Sequence, residues 1–439
     1  MNLDIDKREL LKGLVFVQSI AGRKTTLPIL SHVLMEADKD SLYLTGTDLE
    51  TGIREGLPAN VRQEGKASVS AKKLYEIVRE LPDETIYIEK KENHWITLKC
   101  GKSTFNLAGL DPDEFPSLPT YQEEHFSKVP TAILMEMIEK TVFAASNEES
   151  RYHLNGIFLL QESKDVLRMV ATDGHRLSMI HREGYRIRGI EKGIILPKKG
   201  VMEVRKIMGD KEEERTGDQK VIWHSDKQDE VDAARETFNR LKKKGYMAFL
   251  VKKEGEKGKV IHEFDADAEK LVMAPTIEIY FDGTHGFLRM GKSLIILRLI
   301  DGEFPEYEQV IPKENDKRIK MERERIYACM RRISTMASER IEGIKVALTK
   351  NALEATSFNQ DFGDAKEEVE VTYEGPPIEV GFNARYLREA LNEMDAGEVW
   401  MELKDEGSPA ILRPVGSSEK TSPFIGPNDQ LFIIMPMRI

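Results

Sequence analysis

The sequence runs to 439 residues, 32% charged and 40% hydrophobic, with a formal net charge of −11 at pH 7. That length has room for about three domains of ordinary size, each able to bury its own core. No apolar run approaches the ~18 residues of a membrane span, the charged opening Met1–Glu9 is no signal peptide, and the acidic balance argues on average against non-specific nucleic-acid binding.

Residues 9–54, ending TGTDLETGIR, open with a helix-period apolar pattern, pass a polar turn and finish in alternating, strand-like segments. A second element, VSAKKLYEIVRELPDETIYIE, follows. Residues 133–180, ending ATDGHRLSMI, repeat the plan and are followed by LPKKGVMEVRKIMG. Residues 324–369 repeat it more faintly, followed by FNARYLREALNEMDAGEVWMEL. One supersecondary unit used three times sets the fold class: α+β, with three tandem pseudo-repeat domains over 1–125, 126–314 and 315–439. The two cysteines, Cys100 and Cys329, stand singly in different repeats with no CxxC, and read as small buried hydrophobes in a reducing cytoplasm.

The repeats also measure an insertion. From Asp48 to Phe115 is 67 positions, whereas from the matching Asp173 to the matching Phe304 is 131, so the second copy is 64 residues longer. The excess lies between Glu212 and Pro275, where KVIWHS, DEVDAARETFNRLKKKG, YMAFLVKK and KVIHEFD read as strand, helix, strand and strand. Val231, Ala234, Phe238 and Leu241 form an apolar stripe at helical spacing, expected to pack on the insertion's own strands. The segment reads as a small α/β module inserted in the second domain.

Candidate catalytic motifs fail on context. Gly286–Ser293 (GFLRMGKS) fits the letter of a P-loop, but its interior is strand-like and LIILRLI after it has no helical amphipathicity; with CGKSTF in the first repeat, it reads as a hairpin turn. Thr172-Asp173 repeats Thr47-Asp48 and reads as an Asx-type cap, while His175, Arg176 and Leu177 are special to one copy and hint at a binding surface. His224 and His262 are two possible ligands, too few for a zinc site. No metal, cofactor or enzymatic activity is expected. Two alternative readings stay open: a pseudo-symmetric protein scaffold without DNA encirclement, from the threefold unit, and a P-loop-like nucleotide-binding DNA enzyme, from GFLRMGKS.

Basic residues gather on the predicted helices: Lys7, Arg8 and Lys12, with Arg23 in the turn after them; Lys72, Lys73 and Arg79; Lys198 and Lys199; Arg325, Arg331, Arg332 and Arg385. Recurrence at equivalent places in three repeats favours a shared positive helical face turned to a phosphate backbone.

GRKTTLPILSHVLME with TGTDLETGIR, RYHLNGIFL with ATDGHRLSMI, LPKKGVMEV, RLIDGEFPEYEQVIP and the terminal FIIMPMRI together resemble the bacterial DNA polymerase III beta-subunit family, the sliding clamps. The match spans nearly the whole chain outside the insertion. The resemblance implies a head-to-tail homodimeric ring with helices lining a channel and antiparallel sheets outside. It also implies double-stranded DNA as the enclosed partner, in the cytoplasm and away from membranes. On this likeness Arg23 and the Lys198/Lys199 pair face DNA. Docked proteins would be the polymerase III catalytic subunit, the clamp-loader complex and other proteins with a clamp-binding motif. Their peptide pocket would comprise Leu154, Thr172, Gly174, His175, Arg176, Leu177, Pro305, Val310, Ile433, Met435, Pro436, Met437 and Arg438, with Ile433–Met437 also serving as a last edge strand. Gln309, where Arg is frequent, and Ile439, in place of a terminal Leu, would alter partner preference. Phe105 and Leu107 would meet Thr335 and Met336 of the neighbouring protomer.

Overall fold

Alternating apolar strands and short amphipathic helices build one plan, strand–helix–three strands, six times over. The computed structural model describes residues 1–21, 27–214, 219–250, 259–261, 263–268, 270–337, 342–416 and 430–438, so Arg23, His262 and Ile439 lie outside the described residues. The first repeat holds β1 (Asn2–Asp6), α1 (Lys7–Ala21), β2 (His32–Asp38), β3 (Ser41–Thr47), β4 (Thr51–Pro58), β5 (Asn60–Gln63), β6 (Gly65–Ser70), α2 (Ala71–Glu80), β7 (Thr85–Lys90), β8 (Ile96–Cys100), β9 (Ser103–Leu107) and β10 (Gly109–Leu110). The second begins with β11 (Ser127–Pro130), α3 (Thr131–Val142), β12 (Gly156–Ser163), β13 (Val166–Thr172), β14 (Arg176–Glu183), β15 (Ile194–Pro197) and α4 (Lys198–Glu214). Its added elements are β16 (Gln219–Ile222), α5 (Gln228–Lys243), β17 (Tyr246–Leu250) and β18 (Lys259–Ile261). It closes with β19 (Lys270–Phe281), β20 (His285–Met290) and β21 (Ser293–Arg298). The third comprises β22 (Lys317–Glu322), α6 (Arg323–Ile333), β23 (Gly343–Thr349), β24 (Ala352–Asn359), β25 (Gly363–Glu370), β26 (Ile378–Asn383), α7 (Ala384–Asn392), β27 (Glu398–Leu403), β28 (Ala410–Pro414) and β29 (Gln430–Ile434).

The halves of each repeat exchange their leading strands. β1 pairs with β7 and β6 with β2; β11 pairs with β19 and β15 with β12; β22 pairs with β27 and β26 with β23. Successive repeats are joined by a second rule. The last strand of one repeat's first half pairs with the last strand of the next repeat's second half: β4 with β21, and β14 with β29. Both joints are antiparallel, the start of one strand facing the end of the other (Thr51 opposite Leu297, Arg176 opposite Ile434). Two strands of the same kind remain as sheet edges, β9 and β25.

Backbone contacts divide the chain into two units: 1–132 with 187–189 and 199–299, and 133–186 with 190–198 and 300–439. The first unit contains the five-stranded sheet β5-β1-β7-β8-β9 and a larger sheet in which β4 passes to β21, β20 and β19. Here α1 lies beside α2 over buried Leu10, Leu14, Val17, Leu74 and Val78, and Ser70 caps α2 through the Lys73 amide. The second unit contains the eight-stranded sheet β15-β12-β13-β14-β29-β28-β27-β22 and the four-stranded sheet β25-β24-β23-β26. There α6 lies beside α7, whose N-terminus is capped by Asn383 through the Arg385 and Tyr386 amides.

The P-loop-like segment is the β20–β21 hairpin, with Met290 opposite Ser293 and Gly291 at φ 63°; β8–β9 has the same turn, with Cys100 opposite Ser103 and Gly101 at φ 54°. Only glycine takes that left-handed backbone without strain. The C-terminal strand corrects an expectation: Ile433 lies in β29, which is central, between β14 and β28, and Met435–Met437 lie beyond the strand. It is central because it forms the joint between repeats, which strand periodicity within one repeat does not reveal.

The insertion folds as read, strand–helix–strand–strand, around its own core. Val231, Ala234, Phe238 and Leu241 of α5 pack with Trp223, Ala248, Leu271 and Met273, and the Trp223 indole donates to the Ala266 carbonyl at 2.8 Å. Its sheet grows out of the host sheet along one strand. Residues 270–275 of β19 lie between β16 and β17, while residues 276–281 pair with β11 and β20.

Candidate functional site

The repeated Thr-Asp sequence makes one turn twice. In β3–β4 the Thr47 hydroxyl donates to the Thr51 carbonyl (3.0 Å) and Asp48 Oδ1 accepts from the amides of Glu50 and Thr51. In β13–β14 the Thr172 hydroxyl donates to the Arg176 carbonyl (2.6 Å) and Asp173 Oδ1 accepts from the amides of His175 and Arg176. Gly174 sits at φ 88°; its counterpart Leu49 takes φ 74°, in the region costly to a side chain.

Around the second turn part of the expected peptide pocket is assembled, Leu177, Ile433, His175 and Met435, and all the residues named for it fall within one unit. Leu177 and Ile433 are buried in an apolar cluster with Val170, Met179, Tyr307 and Ile311. Leu154 and Thr172 are buried, and His175 is exposed, its ring stacked at 6.5 Å on Tyr386. The segment after β29 is anchored by two amides, Met435 to the His175 carbonyl and Met437 to the Gly381 carbonyl, each at 2.9 Å. Met435, Pro436 and Met437 are half-buried; Arg438, Pro305 and Val310 are exposed. Gln309 donates to the Glu306 carboxylate.

Arg176 differs from its neighbours in being consumed by structure. It is 7% exposed, donates to Asp173 Oδ2 (3.1 Å), to Glu389 and to the Phe143 carbonyl (2.6 Å), and lies 4.5 Å over the Tyr386 ring. Burial raises the Glu389 carboxyl's pKa, but hydrogen bonds from Arg385 and Arg176 outweigh it and hold the group below its ordinary range. Sequence reasoning missed Arg168, Glu389 and Tyr386. Arg168 is 1% exposed and binds Glu162, Glu308 and the Tyr307 hydroxyl (3.2 Å), bracing the short turn that carries Val310. An arginine at a fully buried strand position is its only signal.

The helical cations are present but partnered. Lys73 pairs with Glu76 (2.8 Å), Lys72 with Glu76 (3.9 Å), Arg79 with Glu80 (2.9 Å), Arg325 with Glu322 (2.8 Å), Arg332 with Glu367 and Arg385 with Glu389 (2.8 Å). Arg331 is exposed. Lys199 is exposed and bridges to Asp48 (2.7 Å) and Glu50 (3.7 Å), whereas Lys198 is half-buried, donates to the Ala145 carbonyl and Asn147, and has its pKa lowered by burial. Exposed pairs of this kind are individually weak and screened by salt, so most of these cations can exchange a glutamate for a phosphate. On the sheet edges Phe105 (37% exposed) and Leu107 lie along β9, while Thr335 and Met336 lie in a single 3₁₀ turn after α6.

Among the described residues no group of three or more His, Cys, Asp or Glu could hold a metal ion, and no helix is long and apolar enough to cross a membrane.

Three families match in order: the DNA polymerase III beta subunit N-terminal domain over residues 1–119, its central domain over 128–228 and its C-terminal domain over 308–425. The chain is 30% identical over 445 residues to the beta sliding clamp of Caulobacter vibrioides and 28% identical over 440 to that of Pseudomonas putida, each alignment covering 100% of both chains. Among solved structures, the DNA polymerase III subunit beta of Pseudomonas aeruginosa aligns at a TM-score of 0.80 and 27% identity. The C. crescentus beta sliding clamp, with polyethylene glycol at its putative beta-motif tethering region, aligns at 0.78 and 28%. Both alignments cover 100% of each chain.

Proposed function

We propose a function that proceeds from one premise: the chain belongs to the DNA polymerase III beta-subunit family. It is a DNA sliding clamp, a processivity factor with no catalysis of its own. Two copies join head to tail, enclose duplex DNA and tether the replicative polymerase, the clamp loader and other motif-bearing proteins in the cytoplasm. The three domains run 1–125, 126–314 and 315–439, the second carrying 212–275 as an added module.

One observation carries the ring. The joint rule that pairs β4 with β21 and β14 with β29 leaves β25 and β9 as its only unmatched partners among the described strands. Satisfying it with a second copy places Phe105 and Leu107 of one protomer against Thr335 and Met336 of the next. The helices α2, α4, α6 and α7 then present Lys72, Lys73, Arg79, Lys198, Lys199, Arg325, Arg331, Arg332 and Arg385 to the duplex. Because most of these cations are already partnered, they centre DNA without gripping it, and enclosure replaces affinity. The cluster around Leu177, Ile433 and Met435 receives the partner's peptide, half-buried methionines suiting several apolar side chains.

The test is topological. Once loaded, the protein stays on nicked circular DNA at salt that abolishes ordinary phosphate binding, and cutting the circle releases it. Equal loss from circular and linear DNA as salt rises would falsify encirclement and leave a scaffold.

A further inference from the structure

The third repeat's joint turn carries two aromatic side chains that ring closure alone does not use. The β24–β25 turn occupies the place that the Thr-Asp turn occupies in the other repeats, yet Phe358 and Phe362 stand there 70% and 74% exposed, the most exposed large hydrophobics among the described residues. Such tips ordinarily carry Gly, Asn, Asp or Ser. Phe358 alternates with buried Leu353, Ala355 and Ser357, which puts it on the outer face of its sheet.

The edge strand β9 borders an open, shallow cleft of about 910 Å³, lined by Glu89, Lys90, Lys91, Glu92, Trp95 and Asn106. Trp95 is 46% exposed. The loop that presents it holds Asn93 at φ 53° and His94 at φ 61°, closed by a hydrogen bond from the Lys91 amide to the Trp95 carbonyl (2.7 Å). Gly109 allows this loop to lie close: a Cβ there would stand 2.4 Å from the His94 carbonyl oxygen.

The two joints within the chain say where the third turn must go. In each, the turn's carbonyl accepts from an amide at or just beyond the end of the facing strand: Glu50 from Arg298 (2.8 Å) and His175 from Met435 (2.9 Å). Carried over to β25 and a second copy's β9, the same geometry sets Gly363 opposite Leu107 and Glu368 opposite Lys102. The turn then projects past Leu107, whose neighbour across the ladder is Ile96, next to Trp95.

We propose that Phe362 of one protomer docks in the Trp95 cleft of the next, an aromatic lock on the outer side of the seam, with Phe358 beside it on the neighbouring strand. It rests on the clamp reading. The occupant is a second copy of this chain because the joint geometry delivers the turn there. The exposed Trp95 ring offers the turn's phenylalanine an aromatic surface, and the acidic half of β25 meets Lys102 at the other end.

The test uses the full-length protein in sedimentation over a dilution series. Phe358→Ser with Phe362→Ser weakens the dimer by roughly 30-fold or more, the scale of an interface hot spot. Trp95→Ala does the same, and the combined variant is no weaker than either, since both remove one contact. Independently, Asp364→Cys with Asn106→Cys, facing each other in this register, yields disulfide-linked dimers on oxidation; the native cysteines, Cys100 and Cys329, are buried. Wild-type rings retained on circular DNA, with phenylalanine variants dissociating at the wild-type rate or penalties that add, overturn the lock and leave the clamp intact. A wild-type chain monomeric at every concentration overturns both.

Discussion

Leu49 and Gly174 occupy the same place in two copies of one turn, and the backbone demands the same left-handed conformation of both, φ 74° and 88°. A side chain there costs about 1–2 kcal/mol, and Leu49 at 52% exposure gains little burial in return. Leu49→Gly therefore raises stability by about 1 kcal/mol and Gly174→Leu lowers it by a similar amount, read from thermal midpoints. Glu389 gives a pH dependence. Its folded pKa lies below the ordinary 4.5, so the tie to Arg176 contributes fully above that value and is lost as the pH falls through the lowered one. Glu389→Gln costs roughly 1–3 kcal/mol at pH 7, less than a fully buried pair because Asp173 still neutralises Arg176. The gap between variant and wild type closes as the pH falls through that lowered pKa; a gap unchanged with pH would show that the carboxylate's charge is irrelevant. The Thr-Asp turn was legible because it is written twice. The burial of Arg176 was not, since its partners Glu389 and Phe143 lie 213 and 33 positions away.

At the scale of elements, hairpins and the α5 stripe could be read from local pattern, because turn chemistry and periodicity act within a few residues. The way the module is attached could not. β19 runs unbroken for 12 residues and serves two cores, Leu271 and Met273 in the module's and Ile277 and Ile279 beyond it. Pro275, which has no amide to donate, marks the division, at the point where the partner on one side changes from β16 to β11. Replacing residues 212–275 by a short Gly/Ser linker thus removes a complete core and leaves Thr276–Phe281 paired as before. Sedimentation of the product as a dimer that is still retained on circular DNA is the expected result. A monomeric or unfolded product would make the module part of the ring.

For the whole molecule, three repeats were plain in the sequence, whereas the six half-units with exchanged leading strands were not, because strand pairing between distant segments leaves no periodic trace. The −11 charge pointed away from DNA; the coordinates resolve this locally, with lysines and arginines of the helices held by adjacent glutamates. The joint rule has a kinetic consequence. Of six joints in a two-copy ring, four lie within a chain and do not dilute, and only two are bimolecular. When one seam parts, the other keeps its faces tethered, at an effective concentration of the order of millimolar for short connections. An opened ring therefore recloses far more often than it falls into halves, and loss from DNA is governed by gaping at a single seam, long before dissociation into protomers.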